Sequence, residues 1–262
     1  MKIKIILIYI VISITVWILI NKYEDYRNEP YITVVAMNGL SNKLQVLLSY
    51  LARANKEGKK LRIIWHLSEA CPEKFDNLFE PMPNLEVVYS DEIIPIDVTI
   101  ENPEETYMYN PDYINFLNFR DGHLIGDSYL LLKPIPLVQN DIDITKIKLG
   151  KEYIACHIRR TDALTHPMYK DNKISDSDYM NFIDQYSKDL KIYIATDCRD
   201  TQKKFIDIYG DRMVYKKIED NNNLRQTSVQ DAVKDMYVCA GATYFKSSVG
   251  TFSDTIMKLR KK

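Results

Sequence analysis

Two adjacent arginines, Arg159 and Arg160, close a run of strand-forming residues in "YIACHIRRTD" (153–162). A guanidinium stays charged and grips a phosphate through paired N–H donors, so two fixed charges at the end of a strand call either for solvent or for an anion. Open α/β sheets place their ligands at the carboxyl ends of strands, which favours the anion. "KSSVGTFS" (246–253) sets Ser247, Ser248, Gly250 and Thr251 directly before a helical pattern. Backbone N–H groups at a helix N-terminus, joined by hydroxyls, make a phosphate cradle. The segment is neither GxxxxGK[ST] nor GxGxxG. A third segment, "NGLSN" (38–42), carries Gly39 and Asn42 between a strand and a helix. Asp235 precedes the small-residue loop on a helix, one turn after Asp231. Most helical carboxylates are solvated, but one beside a nucleotide pocket can accept the two N–H donors of a guanine edge.

The elements that position these residues alternate. "YITVVAM" (31–37) reads as a strand. The amphipathic stretch 42–60, with Leu44, Leu47, Leu48 and Leu51 at helical spacing and Gly58 as its stop, reads as a helix. Strands follow at 61–65 and 85–89. Residues 93–140, rich in proline and aromatics, predict short or irregular elements. From 152 the pattern is regular again: strand 152–158, helix 175–188 capped by Ser175, strand 190–196, helix 199–209, strand 212–216, helix 228–240, strand 243–245 and helix 252–260. Alternation in both halves predicts parallel sheets with helices on both faces, an α/β fold. The expected units are residues 31–147 and 148–262.

The remaining sequence sets bounds. The formal net charge is −1 over 262 residues, which argues against a general nucleic-acid binder. Residues 5–20 carry no charge and follow Lys2 and Lys4. At 1.5 Å per residue they give roughly 24 Å of helix, near the thickness of an endoplasmic-reticulum bilayer once flanking residues are counted. No small residues mark a cleavage site, so residues 1–20 are expected to be a short tail and an uncleaved transmembrane anchor, and 21–30 a stem. The basic residues before the span predict a type II orientation. The four cysteines, Cys71, Cys156, Cys198 and Cys239, are too few for a disulfide scaffold. Burial is their default and any pairing stays open. No zinc-ligand spacing occurs. Asp141 and Asp143, a lone D-x-D after no clear strand, read as a loop rather than a metal site.

"HIRRTD" (157–162) resembles the signature of the fucosyltransferase superfamily that includes the α1,2-, α1,6- and protein O-fucosyltransferases. "IYIATD" (192–197) and "DAVKDMYVCAGATYFKSSVGTFS" (231–253) are similar to two further motifs in the same order, and "NGLSNKLQVLLSYLARA" to the loop and helix that open these enzymes. The resemblance spans residues 31–57 and 152–260. It implies a GT-B fold, two Rossmann-like domains facing a cleft, with GDP-fucose held by the C-terminal one. It further implies that Arg159 contacts the β-phosphate and stabilises departing GDP, supported by Arg160 and His157. Asp162 would help bind the substrate, Asp235 would read guanine, and Ser247, Ser248, Gly250 and Thr251 would cradle the diphosphate. Gly39 and Asn42 would reach across to the donor phosphate or the acceptor, Asn42 and Arg159 being the catalytic pair.

The activity implied is inverting transfer of fucose to a glycan or glycoprotein, without a metal or other cofactor. A lumenal Golgi or endoplasmic-reticulum location fits the expected anchor. Where α1,6 members carry a lysine and a glutamate after the arginines, this chain has Ala163 and Pro167. Asp162 and His166 are then the candidates for a base. Use of another GDP-sugar is one alternative. A GDP-sugar-binding protein without turnover is another.

Overall fold

A computed structural model describes residues 31–90, 126–161, 174–219 and 226–260. The first sheet is wholly parallel, with strands β1 (Tyr31–Ala36), β2 (Lys60–His66) and β3 (Leu85–Ser90) in that spatial order. Helix α1 (Leu40–Glu57) makes the crossover from β1 to β2, and its leucine stripe is buried against the sheet. Gly58 ends it in the left-handed region at φ 69°, where its N–H reaches the carbonyls of Ala54 and Asn55. That conformation suits a residue without Cβ, so the stop falls where the glycine predicts it.

A 3-10 turn (Gly126–Leu131) and α2 (Pro136–Leu149) lead to the second sheet. Its strands, β4 (Tyr153–Ile158), β5 (Lys191–Thr196) and β6 (Tyr244–Lys246), are parallel in the order β5-β4-β6. Helices α3 (Asp176–Ile183), α4 (Arg199–Tyr209), α5 (Val229–Gly241) and α6 (Thr251–Arg260) complete it. The central strand β4 is buried along its whole length, and the two-residue period of a strand sorts its side chains. Ile154, Cys156 and Ile158 join Tyr179 and Ile183 of α3 and Phe205 of α4 in one core. Tyr153 and Ala155 face the other core, which runs through α5 and α6 into the first sheet. The last helix, α6, packs on α1 and on the 3-10 turn, and α2 packs on α5. One continuous hydrophobic core therefore joins the two sheets.

Several expectations are corrected. The fold class read from the sequence included a transmembrane helix at the N-terminus, and the structure does not support it. No helix among the described residues is long and apolar enough to cross a membrane. The longest helix among the described residues, α1, carries Arg53, Lys56 and Glu57. Residues 5–20, on which the expected type II orientation and lumenal location rest, lie outside the described residues. The expected strand 212–216 is reduced to one parallel bridge between Met213 and Ile192. Gly210, at φ 49°, opens a 3-10 turn there, and the Arg212 guanidinium donates to the carbonyls of Leu190 and Ser187. The helix expected over 175–188 stops at Ile183, although Ser175 and Asp178 form the full capping box. Asp141 and Asp143 sit on α2, not in a loop. Pro136 starts that helix with its fixed φ, and Gln139 donates to Asp143 at 2.8 Å. All four cysteines are free, and Cys71, Cys156 and Cys239 are buried.

Candidate functional site

The strand period continues past the end of β4 and separates the two arginines. His157 and Arg159 fall on the side of Tyr153 and Ala155, and both line a cavity of about 110 Å³ between the sheets. Arg160 falls on the side of Ile158 and turns away from it. Its guanidinium donates to Asp176 Oδ1 at 2.6 Å, to the Ile174 carbonyl at 3.1 Å and to the Arg159 carbonyl at 3.1 Å. It also lies 5.7 Å from the centre of the Tyr179 ring. Burial pushes the Asp176 carboxyl up, but Arg160 and Lys204 outweigh it and hold Asp176 below the usual carboxylate range. Arg160 therefore fastens the loop whose other arginine faces the cavity.

Two further residues set that loop. Asp197, just after β5, accepts the Arg160 N–H at 2.8 Å and the Thr161 hydroxyl at 2.6 Å. Ser253, on α6 and only 3% exposed, shares a hydrogen bond of 2.7 Å with His157 Nδ1 and accepts the Ser248 N–H at 2.9 Å. Phe252 packs its ring 4.7 Å from that of His157. The Ser248 hydroxyl in turn receives the Arg159 N–H. A chain of side-chain hydrogen bonds thus links the end of β4, the end of β5 and the start of α6.

Gly250, at φ 100°, turns the chain into α6, and Thr251 begins the helix on the cavity wall. The N-terminus of α1 opens into the same cavity through Gly39, Leu40, Ser41 and Asn42. Each helix N-terminus carries about half a positive charge and unpaired N–H donors. With Arg159, three sources of positive potential face one space.

Asp235, on α5, lines this cavity and also a neighbouring recess of about 250 Å³ that contains Gln202, Lys216 and Lys234. Burial drives the Asp235 carboxyl up to about 7, and the Tyr193 hydroxyl donates to it. Asp231, one turn earlier, differs. Burial pushes it up too, but Lys234 and Lys216, whose ammonium groups lie 3.0 and 2.9 Å away, hold it low. Of the two aspartates on α5, only Asp235 lacks a directly bonded cation.

The structure thus brings Gly39, Asn42, His157, Arg159, Asp235 and Thr251 together at the cavity. Ser247, Ser248, Gly250 and Arg160 do not line it, and Ser248 and Arg160 fix the loop. Asp162 and His166 lie outside the described residues. Ser41, Asp197 and Ser253 were not among the residues expected from the sequence. Asp197 and Ser253 fall within the motif segments quoted above, and parity along β4 would have separated Arg159 from Arg160.

No protein-family profile matches the sequence, and no curated relative does. Solved structures match across nearly the whole chain. An α-1,6-fucosyltransferase, NodZ, soaked with GDP-fucose superposes with a TM-score of 0.58 at 15% identity, over 87% of this chain and 92% of that one. NodZ from Bradyrhizobium matches at 0.55 and 15% identity, over 86% of this chain and 91% of that one. POFUT1 in complex with GDP-fucose matches at 0.55 and 14% identity, over 88% and 95%. The chain therefore has the fold seen in these fucosyltransferases.

Proposed function

We propose that this protein is a glycosyltransferase that binds GDP-fucose and transfers fucose, with inversion, to a hydroxyl of a glycan or glycoprotein. The observation that carries the reading is the convergence of Arg159 with the N-termini of α1 and α6 on one cavity that Asp235 also lines. Breaking the sugar C1–O bond leaves added negative charge on the diphosphate, and preorganised donors aimed at that charge lower the barrier. Arg159 and Thr251 are assigned to the diphosphate, Asp235 to the guanine edge, and Asn42 to the opposite wall. The likeness of the fold to fucosyltransferases solved with GDP-fucose supports the choice of donor. The cations of the chain itself serve the leaving group, so turnover without added metal is part of the proposal.

The test is GDP release by the full chain from a panel of nucleotide sugars, with and without EDTA. Slow release from GDP-fucose that chelation leaves unchanged is the expected result. GDP binding without release from any sugar, with or without candidate glycan acceptors, would favour a binding protein without turnover. Failure to bind any guanine nucleotide would remove the proposal.

Asp235 gives the reading a pH signature. A guanine edge offers two N–H donors, which a carboxylate accepts and a neutral carboxylic acid accepts poorly. With its pKa raised to about 7, Asp235 must release a proton when guanine binds. GDP affinity is therefore expected to rise between about pH 5.5 and 7.5 and then level off, as measured by calorimetry. Asp235→Asn, run in the same buffers, should lose that slope, which separates the effect from titration of the nucleotide phosphate. Stability runs the other way. An acid whose pKa is raised on folding favours the folded state most below its unfolded value of 3.8. That contribution is lost as pH rises to about 7. Asp235→Asn should accordingly gain Tm relative to the wild type, by several degrees, between pH 5 and pH 8.

A further inference from the structure

Ser41 stands in the first turn of α1, is 5% exposed, and lines the cavity, yet its hydroxyl has no hydrogen-bond partner among the described residues. Two neighbouring atoms, Asn38 Nδ2 and Asn42 Oδ1, are buried and unpaired in the same way. A buried polar atom left unpaired costs about 1–3 kcal/mol, and native proteins keep few of them. The usual relief for a helical serine is a bond to the carbonyl four residues back, as Ser49 makes to Gln45 at 2.7 Å. Ser41 is too near the start of α1 for that, because the residue four back, Met37, precedes the helix. Other serines at helix starts, Ser175 and Ser228, are engaged as caps. The first turn of α1 has no side-chain cap at all, its N-cap being Gly39.

The two unpaired atoms on the cavity wall differ in kind, and this indicates what they hold. Asn42 Oδ1 only accepts, and the Ser41 hydroxyl both donates and accepts. A phosphate oxygen has no proton to give at neutral pH, so it leaves the Asn42 oxygen unpaired. A sugar hydroxyl both donates and accepts. The diphosphate is assigned to Arg159 and α6 on the other wall, and the sugar is attached one bond from it.

Resting on the nucleotide-sugar reading above, we infer that the Ser41 hydroxyl hydrogen-bonds a hydroxyl of the hexose carried by the donor. Ser41 then reads the sugar, while the diphosphate contacts are blind to it. GDP, which lacks the hexose, never makes this bond. Without a ligand, no described residue bonds the hydroxyl either.

The experiment measures binding of GDP and of GDP-fucose to the full chain by calorimetry, for the wild type and Ser41→Ala, with the Tm of each unliganded protein. GDP affinity should stay within about twofold, while GDP-fucose binding should weaken about tenfold. The unliganded Tm should be unchanged or higher. Equal weakening of both ligands would reassign Ser41 to the phosphate and overturn the inference, as would no change for either. A lower unliganded Tm would make the hydroxyl structural and overturn it too. The wild type is read first. If it does not bind GDP, the nucleotide-sugar reading fails and takes this inference with it. If it does, an unaffected Ser41→Ala removes this inference alone.

Discussion

Arg159→Ala is expected to lower the rate of GDP release from GDP-fucose by about 10²- to 10³-fold, the usual cost of removing one preorganised donor from a developing anion. Its Tm should stay within a degree or two of the wild type. Both halves of the expectation follow from position. Arg159 continues the β4 parity that includes His157, so its side chain lines the cavity instead of joining the core around Tyr179 and Ile183. Its backbone is held independently, by the Ser248 hydroxyl and by the chain of bonds through Ser253. Removing the guanidinium leaves these backbone bonds in place. Arg159→Lys should recover only part of the loss, because an ammonium is a point charge and cannot match two phosphate oxygens at once. The measurement is single-turnover release of GDP, with thermal unfolding of the same samples. Unchanged release would mean that the positive potential at the two helix N-termini suffices alone, and Arg159 would lose its role.

Much of this arrangement was legible in the sequence, for local reasons. Gly58 and the leucine stripe marked the end and the buried face of α1. Ser175 marked a helix start through capping, which depends on residues a few positions apart. "HIRRTD" marked the carboxyl end of a strand. What failed depended on distant partners. The stretch 212–216 has strand-like residues, but whether it pairs depends on how Gly210 turns and on what Arg212 finds near β5. The helix was expected to begin at Asn42, whereas α1 begins at Leu40, so Ser41 as well as Asn42 lies in its first turn. That changes what Asn42 and Ser41 present to the cavity, since their backbone N–H groups belong to a helix end. The roles of Asp197 and Ser253 were hidden for a similar reason. Each joins elements far apart in the chain, and neither residue type announces a distant partner. The two arginines show the difference most clearly. Identical in type and adjacent, they are told apart only by strand parity and by Asp176, sixteen residues away.

Arg160→Ala is expected to have the opposite phenotype to Arg159→Ala. The Arg160 side chain is 7% exposed and pairs with Asp176, which is 26% exposed. Among the described residues, truncation leaves the Asp176 carboxylate with Lys204 alone, itself half exposed, and removes a donor from the carbonyls of Ile174 and Arg159. Removing one partner of a fully buried ion pair costs 3–5 kcal/mol. Asp176 keeps some contact with water, so about 2–3 kcal/mol is the expectation, or a fall in Tm of roughly 5–10 °C for a chain of this size. The pH dependence identifies the cause. Asp176 is held below the usual carboxylate range on folding, so its pairing stabilises the protein above the unfolded carboxylate pKa and is lost as pH falls through the folded value. The Tm gap between wild type and Arg160→Ala should therefore close on acidification from pH 6 toward pH 3. A gap that stays constant would point to lost packing against Tyr179 instead. The double variant Arg160→Ala/Asp176→Ala should lose less than the sum of the two single changes, because each single change already breaks the shared interaction. GDP affinity in Arg160→Ala should fall less than in Arg159→Ala, and it should fall through displacement of the loop. Stabilising that loop by other means would then restore binding without Arg160, whereas nothing short of a cation at position 159 would do so for its neighbour.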